Sequence, residues 1–108
     1  MREQTLRELI KQVFEKDLPI SGGFGSSIVD AIVIELANGG VGVDMEYQVL
    51  EYLRILNRTP NWKVEKQELL GHDNKHYDKL SIIYSDNAAY RHNYYFDISK
   101  FFDLKQPL

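Results

Sequence analysis

The sequence predicts an α+β fold, an antiparallel sheet with two helices on one face, and three patterns carry that expectation. Residues 90–98 alternate with period two, placing Tyr90, His92, Tyr94, Phe96 and Ile98 on one side of a strand and Arg91, Asn93, Tyr95 and Asp97 on the other. Two earlier segments repeat apolar residues every three or four positions, as amphipathic helices do. Three strands follow the second of them without interruption, and helices segregated from a run of strands define a two-layer class.

The first helix has Leu6, Leu9, Ile10, Val13 and Phe14 on one stripe. Thr5 and Glu8 have the spacing of a capping box, and Glu3 is placed to pair with Arg7. Pro19 marks its end, because the residue before a proline is pushed out of the helical region. Residues 19–27 then read as a glycine-rich loop and Ile28 to Leu36 as a nearly continuous apolar strand. Residues 37–40, Ala-Asn-Gly-Gly, supply a turn, after which Val41-Gly42-Val43 can pair back as a short strand. Asp44 is a good N-cap for the second helix, with Glu46 near its positive end. Met45, Val49, Tyr52, Leu53 and Leu56 form its stripe, widened by Leu50 and Ile55. Arg54 and Arg58 suit its carbonyl end, and Asn57 and Pro60 stop it.

Trp62 and Val64 begin the first strand of the meander, and Leu80, Ile82 and Tyr84 alternate in the second. A five-residue loop, Gly71 to Lys75, would set Trp62 opposite Tyr84 and Val64 opposite Ile82. Asp86-Asn87 provides turn chemistry before the third strand, Ala89 to Ile98. All three apolar rows then share one side. Lys63, Glu65, Gln67, Lys79, Ser81, Ser85, Arg91 and Asn93 share the other, which suits water. Ser99 to Leu104 reads as a closing helical turn with Phe101 and Phe102 tucked under the sheet. The order α-β-(β)-α-β-β-β is similar to cystatin-like and NTF2-like folds, in which a curved sheet wraps helices; the similarity is architectural and no sequence motif carries it.

A chain of 108 residues suits one domain over 1–108, large enough to bury a core without staples. It has no cysteine, which excludes disulfides and thiolate metal sites. The residues Met1 to Glu8 are charged where a signal peptide needs an apolar run, and the longest apolar run, Ala31 to Ile34, is far too short for a bilayer. A cytoplasmic, acidic, water-soluble protein is therefore expected. The net charge of −3 works against a nucleic-acid partner, although Lys63, Lys79 and Arg91 beside Tyr95 is a combination that single-strand RNA binders use.

Three groups of residues are candidates for function. Trp62, Tyr84, Tyr90, His92 and Tyr94 share the covered face and could line a ligand pocket, with His92 able to act as a base. Arg91, Tyr95, Lys63 and Lys79 on the wet face suit a protein interface. His72, Asp73, His76 and Asp78 crowd a hairpin tip, where a polar turn explains them better than a metal. The Gly22–Ser27 loop leaves a helix and enters a strand, the reverse of a phosphate loop. No cofactor, metal or catalytic set is implied. A small non-catalytic interaction protein, acting through a protein partner or as a homodimer, is the expected function. A small-molecule pocket, with or without catalysis, is the alternative.

Overall fold

Thr5 nucleates the first helix as its spacing demands. Its hydroxyl accepts the Glu8 N–H at 3.1 Å and the Glu8 carboxylate accepts the Thr5 N–H at 3.0 Å, a complete capping box for α1 (Leu6–Phe14). The computed structural model describes residues 4–37, 39–59, 61–84 and 87–102, and gives backbone only for 39–40 and 87–90. α1 ends at Glu15 in a left-handed conformation (φ 55°), well before Pro19, so the proline is not its stop. Glu3, the expected partner of Arg7, lies outside the described residues. Arg7 grips Asp17 through two bonds of 2.7 and 3.2 Å, which hold the Asp17 carboxyl below the usual carboxylate range.

The expected loop at 19–27 and long strand at 28–36 are corrected. Two short strands, β1 (Ile20–Gly22) and β2 (Ile32–Ile34), form a hairpin instead. Gly22 permits its tight exit: it has φ +84°, and a Cβ there would stand 2.4 Å from the Ala31 carbonyl oxygen.

The second helix, α2 (Gly39–Leu56), starts earlier than its capping signals suggest. Val41-Gly42-Val43 form its first turns rather than a returning strand, Asp44 is helical, and Glu46 lies further in and is fully buried. Glycines and valines are poor helix formers, so packing must supply what propensity lacks. Gly42 shows how. The fully buried Phe101 ring lies where a Gly42 Cβ would be, 2.6 Å from it.

β3 (Trp62–His72), β4 (Lys75–Tyr84) and β5 (Asn87–Asp97) form the meander. The five strands run in the order β1-β2-β5-β4-β3, and β2 pairs with β5 in parallel. The sheet is thus mixed, not purely antiparallel. A parallel pair needs a long crossover, and α2 with the β3–β4 hairpin provides one.

Asp73 and Asn74, both at positive φ (50° and 64°), make a two-residue turn closed by the His72–Lys75 pair, not a five-residue loop. Yet Trp62 does face Tyr84, and Val64 does face Ile82. A bulge at Glu65 reconciles the two by inserting one residue between Val64 and Lys66. Beyond it Gln67 faces Leu80, which moves Gln67 from the expected wet face to the core-bearing one.

The core cluster draws Leu6 and Ile10 from α1 and Met45, Val49, Leu50 and Leu53 from α2. From the sheet it takes Ile20, Ile32, Ile34, Leu80, Ile82, Tyr94 and Phe96, which the strand pairing places on one side. Ile98 and Phe101 close it from the chain end, and Phe102 stacks on His76 with centroids 3.7 Å apart. Leu104 lies outside the described residues. Glu35 bonds Lys100 and the Ser21 hydroxyl, tying this closing segment to the β1–β2 hairpin; those bonds, Lys100 first, keep its carboxyl below its ordinary range. Among the described residues no helix is long and apolar enough to cross a membrane.

The Gly42 contact yields a test. Glycine to alanine inside a helix ordinarily stabilises, by about 1 kcal/mol. Gly42→Ala is expected to destabilise instead, by roughly 1–3 kcal/mol in urea titration, because the new methyl must displace Phe101. A gain in stability would show that Phe101 does not sit on α2.

Candidate functional site

Two surfaces emerge from the parity of β5. On the core side, Tyr94 stands opposite Leu80 and His92 opposite Ile82. The segment Phe24–Ser26 runs alongside, fixed where the Tyr95 N–H donates to the Gly25 carbonyl at 2.9 Å. Leu9 from α1 and Leu53 and Leu56 from α2 complete the wall. The result is a half-open, largely apolar cleft of about 260 Å³, with Asn57, Ser26 and His92 as its polar rim.

The ring of His92 stacks on Tyr94 at 4.3 Å between centroids, with 29° between planes. One side of the imidazole is thus covered while the residue as a whole remains exposed. That partial burial lowers its pKa below the usual imidazole value, so the neutral ring is favoured. Tyr94 is 6% exposed. Burial, and secondarily the nearby Tyr84, raise its phenol pKa, against a smaller opposing hydrogen bond with Asn57.

Of the five residues expected to line one pocket, His92 and Tyr94 line this cleft. Trp62 and Tyr84 do not. Both pack half-buried against the core, Trp62 with its ring 6.3 Å from that of Tyr47. The Tyr90 side chain lies outside the described residues. Leu9, Leu53 and Leu56 were legible as helix-stripe positions, but nothing in the sequence aimed Phe24 and Ser26 at β5. The hydrogen bond that does so uses backbone atoms alone.

On the opposite side of the sheet, Lys63, Ile83 and Arg91 form one row, and Glu68, Lys79 and Tyr95 another. All four residues expected at an interface lie here. Arg91 pairs with Glu65 of the bulge. Lys79 lies 3.8 Å from Glu68 and 5.9 Å from the centre of the Tyr95 ring, and Lys66 reaches Glu68 at 3.6 Å. Ile83 and Tyr77 are 7% and 6% exposed, yet neither belongs to the core cluster. Tyr77 lies beside the 22–31 loop, with which it lines a common cleft.

At one end of this face a larger, more polar cleft of about 560 Å³ lies between the 22–31 loop and the β3–β4 tip. It holds His72, Asp73, Lys75 and Asp97 beside the almost fully exposed Val29. His72 and Asp73 approach to 3.3 Å, whereas His76 is stacked on Phe102 and Asp78 is buried. The four residues do not converge, and among the described residues no three histidines or carboxylates are grouped to hold a metal.

No family model, curated protein or solved structure matches this chain.

The His92 environment predicts a pH effect of definite sign. The folded state holds this imidazole neutral, so the unfolded chain takes up its proton first as pH falls. The favourable contribution is complete above the ordinary imidazole pKa and is lost as pH drops from there toward the lowered folded value. Denaturant titrations across that window are expected to show a steeper fall for the native chain than for His92→Gln. Parallel curves would mean that Tyr94 does not desolvate the ring.

Proposed function

We propose that this is a non-catalytic interaction protein, a cytoplasmic domain that works by docking the open face of its sheet on a protein partner or on a second copy of itself. One observation carries the proposal: the face bearing Tyr77, Ile83 and Tyr95 supplies none of the core cluster, although it holds aromatic and aliphatic side chains packed to interior-like burial. Both helices contribute to the cluster on the other side, in keeping with a two-layer arrangement in which they cover one face. A sheet face of this kind combines tyrosine and arginine with a rim of mixed charge, the composition found at interface centres.

Electrostatics favours a protein over a nucleic acid. Arg91 lies against Glu65, and Lys66 and Lys79 share Glu68, so part of the positive charge of this face is offset, and the net charge of −3 opposes a phosphate backbone further. The Lys79 ammonium lies 5.9 Å from the centre of the Tyr95 ring, a cation–π contact that restrains both side chains and so lowers the entropic cost of ordering them on contact.

Native mass spectrometry of the chain purified from its own host tests this. A dimer or a stoichiometric protein complex is expected. Replacing Arg91 and Tyr95 together by alanine is expected to weaken it by roughly tenfold to a hundredfold, with an unchanged circular dichroism spectrum. A chain that stays monomeric and partnerless, or a complex indifferent to the double substitution, would refute the docking face.

A further inference from the structure

The cleft between the Phe24–Ser26 segment, the two helices and β5 lies on the opposite side of the sheet from the docking face and makes no use of it. Its side chains state what would fit. Leu9, Leu53 and Leu56 form an aliphatic floor and Phe24, 41% exposed, stands at the edge. No residue lining it carries a formal charge when His92 is neutral. A volume of about 260 Å³ falls just below the range of roughly 300–1,000 Å³ for drug-sized ligands, so a smaller molecule is indicated. Directional chemistry comes from His92. The Tyr94 ring fixes its plane, and among the described residues no protein group hydrogen-bonds its ring nitrogens. A neutral imidazole offers one acceptor nitrogen and one N–H.

We propose that this cleft binds a small, uncharged, flat aromatic molecule bearing one hydroxyl or ring N–H, which donates to the acceptor nitrogen of His92 while its ring lies among Leu9, Leu53, Leu56 and Phe24. A charged ligand would have to shed its hydration against aliphatic walls that hold no counter-ion, which excludes anionic and cationic analogues. An aliphatic chain would fill the volume but make no use of the imidazole nitrogen. The phenol-type ring satisfies both halves of the site.

Phenol, benzene and benzoate are suitable probes, since they share a ring and differ in donor and charge. Ligand-observed NMR on the full chain is expected to show phenol binding about fivefold or more tighter than benzene, the worth of one hydrogen bond. Benzoate is expected to show no binding. His92→Phe keeps a ring on Tyr94 but removes the acceptor, so it is expected to equalise phenol and benzene. Leu9→Trp, at a half-buried helix position, is expected to block both probes while the fold, checked by circular dichroism, persists. Equal binding of phenol and benzene by the native chain would overturn the proposal. So would a phenol preference that survives His92→Phe, binding unaffected by Leu9→Trp, or absence of binding up to the solubility limit of benzene. None of these outcomes bears on the oligomeric state that tests the docking face.

Discussion

Strand parity is the constraint on which the rest of this molecule depends. β5 sits between β2 and β4, so its alternation decides which residues of three strands share a side. Tyr94, Phe96 and then Ile98 point into the cluster fed by both helices. Asn93, Tyr95 and Asp97 necessarily point the other way. A slip of one residue would exchange the two sets entirely. The hydrophobic term makes that exchange costly, since Phe96 and Ile98 are both 0% exposed.

The bulge at Glu65 follows from the same constraint. A two-residue turn at Asp73–Asn74, continued without interruption, would set Tyr84 opposite Lys63 and Ile82 opposite Glu65. Trp62 and Val64 would then face water. Inserting Glu65 as an unmatched residue restores Trp62 to Tyr84 and Val64 to Ile82 and leaves the turn intact. The bulged Glu65 pairs with Arg91 across the open face, so the device that rescues the core also shapes the proposed docking surface. It additionally interrupts the long outer edge of β3, where Lys63 and Lys66 flank it. Bulges and lysines are common means of discouraging edge-to-edge pairing. The proposed association is thereby directed to the face rather than the edge.

Much of this was legible in the sequence where local chemistry and tertiary packing agree. The capping box at Thr5 and Glu8, the stripe of α1 and the alternation of β5 each follow a single period, and no competing signal opposes them. The Trp62–Tyr84 register was legible too, though through a loop length that the turn residues do not adopt. Asp73 and Asn74 both accept positive φ, and the bulge that compensates has no sequence signature. Failures cluster where packing outweighs propensity. Val41-Gly42-Val43 resembles a strand on its own and becomes helix because Phe101, some sixty residues later, requires Gly42 on a helical surface. The parallel β2–β5 pair is likewise a long-range outcome, invisible to any local window. For the candidate site, His92 and Tyr94 were legible from alternation alone. The walls were less so, because Phe24 and Ser26 reach β5 through the backbone bond from Tyr95 to Gly25.

The two proposed surfaces are therefore not separate inventions of the fold but the two sides of one strand. The chain contains no cysteine, which gives a silent background for mapping those sides. Single cysteines at positions 91, 93 and 96, introduced one at a time and treated with a water-soluble maleimide under native conditions, test the division most directly. At concentrations low enough to keep the chain monomeric, Arg91→Cys and Asn93→Cys should react as fast as an unfolded peptide, and Phe96→Cys only as the domain opens. Rapid labelling at 96 together with protection at 91 and 93 would contradict the assigned parity, and with it the core, the cleft and the docking face.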